Sequence, residues 1–179
     1  MPNWIEGSIK IRGPFENVKK FFTEGLNVYE YKYDGDLKQD MQTAKPKEEW
    51  LNIIDTDTDY LILYANPVNL NSDMTVDRWA YVEETRRAFV IFENEVWIRK
   101  AEDKDVIGTA TIRQAWSFDT EDWINIAKTY NVDVKLYGLE CGMGFGSEIE
   151  IRRDGAVLQD DDIVYKNWEW DCPFPWMGG

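Results

Sequence analysis

The chain contains no histidine in 179 residues. Histidine is the commonest general base and proton shuttle near neutral pH. Its absence excludes Ser-His-Asp and Cys-His catalysis within this chain, and every histidine-containing zinc site. Cysteine is scarce as well: Cys141 and Cys172 are the only two, too few for a four-cysteine zinc site or an iron–sulfur cluster. Long apolar runs are missing. The longest, Leu61 to Ala65 and Ala88 to Phe92, fall far short of the roughly 20 residues a membrane-spanning helix needs. Glu6 interrupts the N-terminus before an apolar run forms, which argues against a secretion signal. The expectation is a cytoplasmic protein with reduced thiols. Cys141, with no histidine to activate it, is expected as a small packed residue.

Positive charge is the remaining scarcity. Twenty Lys and Arg stand against 34 Asp and Glu, a net charge of −14. Contacts to phosphates dominate nucleic-acid affinity, so a direct nucleic-acid binder of this composition needs a strongly segregated basic patch. The sequence-adjacent cations are only pairs: Lys19-Lys20, Arg86-Arg87, Arg99-Lys100 and Arg152-Arg153. Anionic membranes are disfavoured for the same reason. A negative surface instead suits a basic protein partner, whose approach it steers.

Aromatic residues are abundant: nine Trp, nine Tyr and eight Phe give a modest chain a large area to bury. Period-2 alternation predicts a strand from Trp4 to Arg12. Gly13-Pro14 then opens a helix through Phe15, Val18, Phe21 and Phe22 that Gly25 closes. Val28 to Tyr33 reads as a strand, and Asp34 to Lys47 as a polar loop or insertion. Tyr60 to Ala65 is a buried strand. Ala88 to Glu93 and Glu95 to Lys100 read as two strands joined near Asn94, and Ile107 to Ala115 as another. Thr120, with Glu121 and Asp122 behind it, is expected to cap a second helix through Trp123, Ile126, Ala127 and Tyr130. Val132 to Leu139 returns as a strand. Gly146 to Leu158 forms a hairpin around Asp154-Gly155, and Ile163 to Trp168 is a last strand-like piece.

This order predicts an α+β fold: a ferredoxin-like, split β-α-β sheet with two helices on one face and an added hairpin or insertion. A single domain over 1–179 is expected, with a variable insertion at about 34–106 and an extended tail at 169–179.

Gly142-Met143-Gly144-Phe145-Gly146 lacks dinucleotide-fingerprint spacing and runs from strand to strand. Its glycines are expected to make a bulge or tight crossing, with Phe145 packed on Trp116. No cofactor is expected. Asp55-Thr56-Asp57-Thr58-Asp59 resembles the opening of a calcium loop, but Tyr60 and Asn66 stand where that loop needs Gly and Glu. Asp160-Asp161-Asp162 admits three readings: a divalent-metal site for phosphoryl hydrolysis, a partner-binding patch imitating phosphates, or an exposed turn.

Met1-Pro2-Asn3-Trp4 leading into an alternating strand, then Ala115-Trp116-Ser117 with the following helix and Glu140 to Gly146, resembles the YubB-type proteins of plasmids and phages. The likeness covers about the first 13 residues and 115–155. It departs at Ile5-Glu6-Gly7, where the family carries Cys and Asn. The resemblance implies a ferredoxin-like domain and a mobile-element origin in a bacterial host. It supplies no catalytic residues. Trp4, Trp116, Glu140, Gly142, Gly144, Phe145 and Gly146 are its structural motif.

Charge and resemblance together predict a non-enzymatic accessory protein. It binds and inhibits a basic host nucleic-acid enzyme of the defence type, in the manner of an anti-CRISPR or anti-restriction factor. The contact residues are expected among Asp34, Asp36, Asp55, Asp57, Asp59, Asp160, Asp161 and Asp162. A metal-dependent nuclease or hydrolase using the Asp clusters is the alternative from another class. An uncharacterised small domain with no catalytic role is the third.

Overall fold

The computed structural model describes residues 3–33, 39–45, 51–56, 59–65, 76–92 and 95–178. Strands dominate it: β1 Trp4–Gly13, β2 Leu26–Tyr33, β3 Gln39–Lys45, β4 Leu51–Asp55, β5 Tyr60–Ala65, β6 Val76–Val82, β7 Ala88–Ile91, β8 Val96–Arg99, β9 Val106–Ala115, β10 Asp133–Glu140, β11 Phe145–Ile151 and β12 Val157–Val164. The described helices are short: α1 Phe15–Glu24, α2 Thr120–Tyr130 and α3 Trp168–Asp171.

Nine strands form one sheet in the order β12-β11-β10-β1-β9-β7-β6-β2-β3, and β4-β5-β8 form a second. Every pairing between these strands is antiparallel. The ferredoxin-like expectation is overturned here. That fold brings the strand after the first helix back beside the third strand of its sheet. In this chain β2 lies beyond β9 with β7 and β6 between them. The stretch expected as an insertion, 34–106, supplies β3, β6 and β7, three of the four strands that carry the large sheet past β9, and the whole small sheet. The molecule is mostly β.

Register explains which residues are buried. Ile5, Ile9 and Ile11 of β1 share a face with Ile112 of β9 and with Val134 and Leu136 of β10, and all six are buried. Val18, Phe21 and Phe22 of α1, with Trp123, Ile126 and Ala127 of α2, belong to the same core. The two helices meet through Phe21 and Tyr130, whose rings stand edge to face 5.5 Å apart. Leu61, Leu63, Val96 and Ile98 of the small sheet join that core as well. Gly108 faces Phe22 so closely that a Cβ there would lie 2.5 Å from the ring, which fixes a residue without a side chain at that point of β9. The opposite face of β1, β9 and β10 carries Glu6, Lys10, Arg12, Arg113, Asp133 and Lys135. One apolar and one polar face is what an antiparallel sheet permits and what period-2 alternation encodes.

Several local expectations also change. The segment 34–47, expected as a loop, contains β3. The strands expected to join near Asn94 part company: β7 lies in the large sheet and β8 in the small one. Asp119, not Thr120, is the N-cap of α2 and makes no side-chain capping bond. The piece expected at 163–168 is divided between the end of β12 and α3, so the tail begins with a helical turn instead of being extended throughout.

Candidate partner-binding surface

β12 is the outermost strand of the large sheet. Asp160, Asp161 and Asp162 lie within it, not in a turn before a strand, and all three are exposed. Side chains alternate along a strand, so Asp160 and Asp162 share a face and stand about 6.8 Å apart along the chain. Asp161 faces the other way, opposite Glu148 of β11. None of the three makes an ion pair among the described residues. Their recorded partners are neutral: Thr120 Oγ1 donates to Asp160 at 2.8 Å and Gln159 Nε2 to Asp161 at 3.1 Å. The Thr120 bond ties the first turn of α2 to this edge.

That first turn also reaches the turn between β6 and β7. Asp122 Oδ2 accepts from the Arg86 backbone N–H at 2.6 Å and from Gln114 Nε2 at 3.2 Å. Gln114 is fully buried, and its Oε1 accepts from Trp123 Nε1 at 3.0 Å. Burial raises the Asp122 pKa, the nearby Asp119 adds to that effect, and the hydrogen bonds oppose it. Arg86 lies 3.9 Å from Asp119. Gln114 occupies the buried register of β9, after Gly108, Ala110 and Ile112; a polar residue in an apolar register was the signal that sequence reasoning passed over.

Backbone strain concentrates in this corner. Of four described non-glycine residues with positive φ, three lie here: Glu84 at 63°, Arg87 at 52° and Trp116 at 72°. The Ala115 N–H donates to the Arg87 carbonyl at 3.3 Å, and the Trp116 N–H to the Asn3 carbonyl at 2.8 Å. A bulky residue in the left-handed region is a genuine outlier, and such strain persists only where its surroundings impose it. Trp116 is 56% exposed. The expected packing of Phe145 on Trp116 is therefore corrected: Trp116 turns outward, while Phe145 lies against the core from β11.

The remaining predicted residues divide clearly. Asp34, Asp36 and Asp57 lie outside the described residues. Asp55 is paired with Lys100, whose Nζ also donates to the Thr56 carbonyl at 2.6 Å. Lys100 lowers the Asp55 pKa by hydrogen bond and charge. Asp59 is exposed, and its carbonyl accepts from the Lys100 N–H at 2.7 Å. This acidic loop is thus partly neutralised by its own chain and stands apart from β12 in the fold.

The glycine motif is a tight turn between β10 and β11, not a bulge or crossing. Glu140 is fully buried; its two carboxylate oxygens accept from the N–H groups of Gly142 at 2.9 Å and Met143 at 2.5 Å. A Cβ on Gly142 would fall 2.8 Å from that carboxylate, and Gly144 has φ +71°. Gly146 pairs with Leu139. Trp4 packs edge to face on Phe89, ring centroids 5.8 Å apart. Neither cysteine is in a disulfide: Cys172 is buried and Cys141 Sγ donates to the Gly178 carbonyl at 3.0 Å.

Among the described residues, no three Cys, Asp or Glu side chains are grouped to hold a metal ion. None of the described helices is long and apolar enough to cross a membrane. No protein-family model matches the chain, and neither a curated protein nor a solved structure matches it. The class of protein is therefore defined by architecture alone: a mostly-β chain with a nine-stranded antiparallel sheet.

Proposed function

We propose that this is a binding protein that occupies a basic, nucleic-acid-binding surface of a partner enzyme. One observation carries the reading: three consecutive carboxylates on the outermost strand, exposed and without a cation partner among the described residues. Carboxylates at alternate strand positions present negative charge at regular intervals, as a phosphate backbone does, and a basic channel built for nucleic acid recognises that pattern electrostatically. The net charge of −14 steers such an encounter. The outward-facing Trp116 supplies an aromatic anchor of the kind that concentrates binding energy in interfaces. The resemblance to plasmid and phage proteins makes a bacterial defence nuclease the partner class, with the cell interior as the place of action.

The test is biological and then physical. Bacteria carrying a CRISPR or restriction system are challenged with a targeted phage, with and without this protein. Restored plaque formation that is lost when Asp160, Asp161 and Asp162 are all changed to Asn supports the reading. The purified effector should then lose DNA binding on addition of the wild-type protein, less so as salt rises. Unchanged plaque counts across a panel of such systems would sink it.

A further inference from the structure

We propose that the groove around Ile107 is a binding site for a phosphate-bearing organic ligand. Two adjoining hollows share Ile107 as a common wall. Lys10, Arg12 and Lys135 line one, and Arg99, Lys100 and Lys104 line the other. These cations are scattered along the sequence from position 10 to 135, and strand pairing gathers them. Lys10 stands directly opposite Lys135 in the β1–β10 register. Like charges placed so are destabilising, and only one of the pair is relieved: Lys135 Nζ lies 3.0 Å from Glu148 and 3.2 Å from Glu150.

The carboxylates lining the two hollows are already engaged. Asp133 is held by Arg12 at 2.9 Å and by Arg153 at 3.1 Å; Asp105 is held by Arg153 at 2.5 Å, and Glu150 by Lys135. Lys10, Arg99 and Lys104 are left with no ion pair among the described residues. Acids outnumber bases 34 to 20 in this chain. Six of the 20 cations nonetheless line these two adjoining hollows.

Lys and Arg donate hydrogen bonds and accept none, and their charge-assisted bonds to phosphate oxygens are short and strong. A phosphate beside Lys10 in one hollow, or beside Lys104 in the other, would relieve positive charge that the chain's own carboxylates do not. Ile107, 50% exposed between the hollows, offers an apolar floor for the organic part. The site shares no residue with the β12 edge and does not depend on the function proposed for it.

The isotope-labelled full chain is titrated with inorganic pyrophosphate and, separately, with AMP, and amide and methyl resonances are followed. Saturable shifts at Lys10 and Lys104 are expected from both, and at the Ile107 methyls from AMP. Lys10→Gln and Lys104→Gln alter exposed side chains, so the rest of the spectrum should be unchanged. The double variant should weaken binding by about tenfold or more, equivalent to about 1.4 kcal/mol. A methyl shift at Ile107 with AMP alone shows that the organic portion is read; equal shifts place recognition in the phosphate. Shifts reproduced by sodium chloride at matched ionic strength, an absence of saturation, or unchanged affinity in the double variant would each overturn the proposal.

Discussion

The Asp122 carboxylate accepts the backbone N–H of Arg86 at 2.6 Å, which fastens the first turn of α2 to the turn between β6 and β7. The same carboxylate meets Gln114, whose carbonyl holds the indole of the fully buried Trp123. One hydrogen-bonded chain therefore links the core of α2 to the strained corner at Arg87 and Trp116.

Gln114→Leu keeps the volume but removes the three hydrogen bonds of that side chain, to the Arg86 carbonyl, Asp122 and Trp123. The Trp123 N–H would then be buried without an acceptor, a cost of roughly 1–3 kcal/mol. The expected result is a lower urea midpoint with an unchanged slope. A midpoint equal to wild type would mean that Gln114 merely fills space.

Glu140→Ala strips the turn at 141–144 of its two carboxylate bonds. Leaving the Gly142 and Met143 N–H groups without their acceptor should destabilise by about 1–3 kcal/mol. Glu140→Gln, which retains one acceptor oxygen, should cost less. Thermal melts of the three proteins provide the ranking.

Trp116→Gly removes an exposed ring and the steric cost of φ +72°. Relief of left-handed strain is worth roughly 1–2 kcal/mol, offset by the greater freedom of glycine in the unfolded chain. Stability should stay close to wild type while affinity for the basic partner falls. A marked loss of stability with binding intact would show that Trp116 serves the fold, not the interface.

Acid should weaken the large sheet at Asp133. Burial opposes its ionisation, but hydrogen bonds from Arg153 and Arg12 outweigh burial and hold its pKa at about 2. A carboxylate whose folded pKa is depressed stabilises above its unfolded pKa. That contribution, on the order of 2 kcal/mol, disappears as pH falls from about 4 to about 2. Asp133→Asn should flatten the stability profile in this window. Asp122 acts in the opposite sense: its folded pKa is raised, first by burial, so its share of stability grows as pH falls through that pKa.

Neutralising the acidic edge should have a second consequence. Outer strands invite pairing with other chains unless charge or shape prevents it. The triple change of Asp160, Asp161 and Asp162 to Asn should therefore promote self-association, visible as larger species in light scattering at moderate concentration. If the triple variant scatters light as the wild type does, those carboxylates are not needed to keep the edge from pairing.

Much of the local structure was legible in the residues. Alternation marked β1 and β9, a short apolar run marked β5, the spacing of Phe15, Val18, Phe21 and Phe22 marked α1, and Asp154-Gly155 marked the β11–β12 turn. These features are local: a period of two or 3.6, or a glycine able to take φ +87° as Gly155 does, is written within a few residues. The acidic run was legible too, but its setting was misjudged. Three consecutive Asp are poor strand formers, yet β12 holds them because pairing with β11 decides the backbone there. Gln114, Asp122 and Arg86 could not be joined from the sequence, since their contact depends on where the β6–β7 turn lands against α2.

By itself the sequence determined that histidine chemistry is excluded, that the surface is strongly acidic, and where most strands and both longer helices run. The tertiary structure alone decided the order of those strands. Main-chain hydrogen bonding between strands carries little sequence signature, so nothing local distinguishes a sheet that stops beside β9 from one that continues through β7, β6, β2 and β3. The same long-range pairing placed Lys10 beside Lys135 and turned cations scattered along the chain into one groove. Charge is a property of composition; its segregation is a property of register.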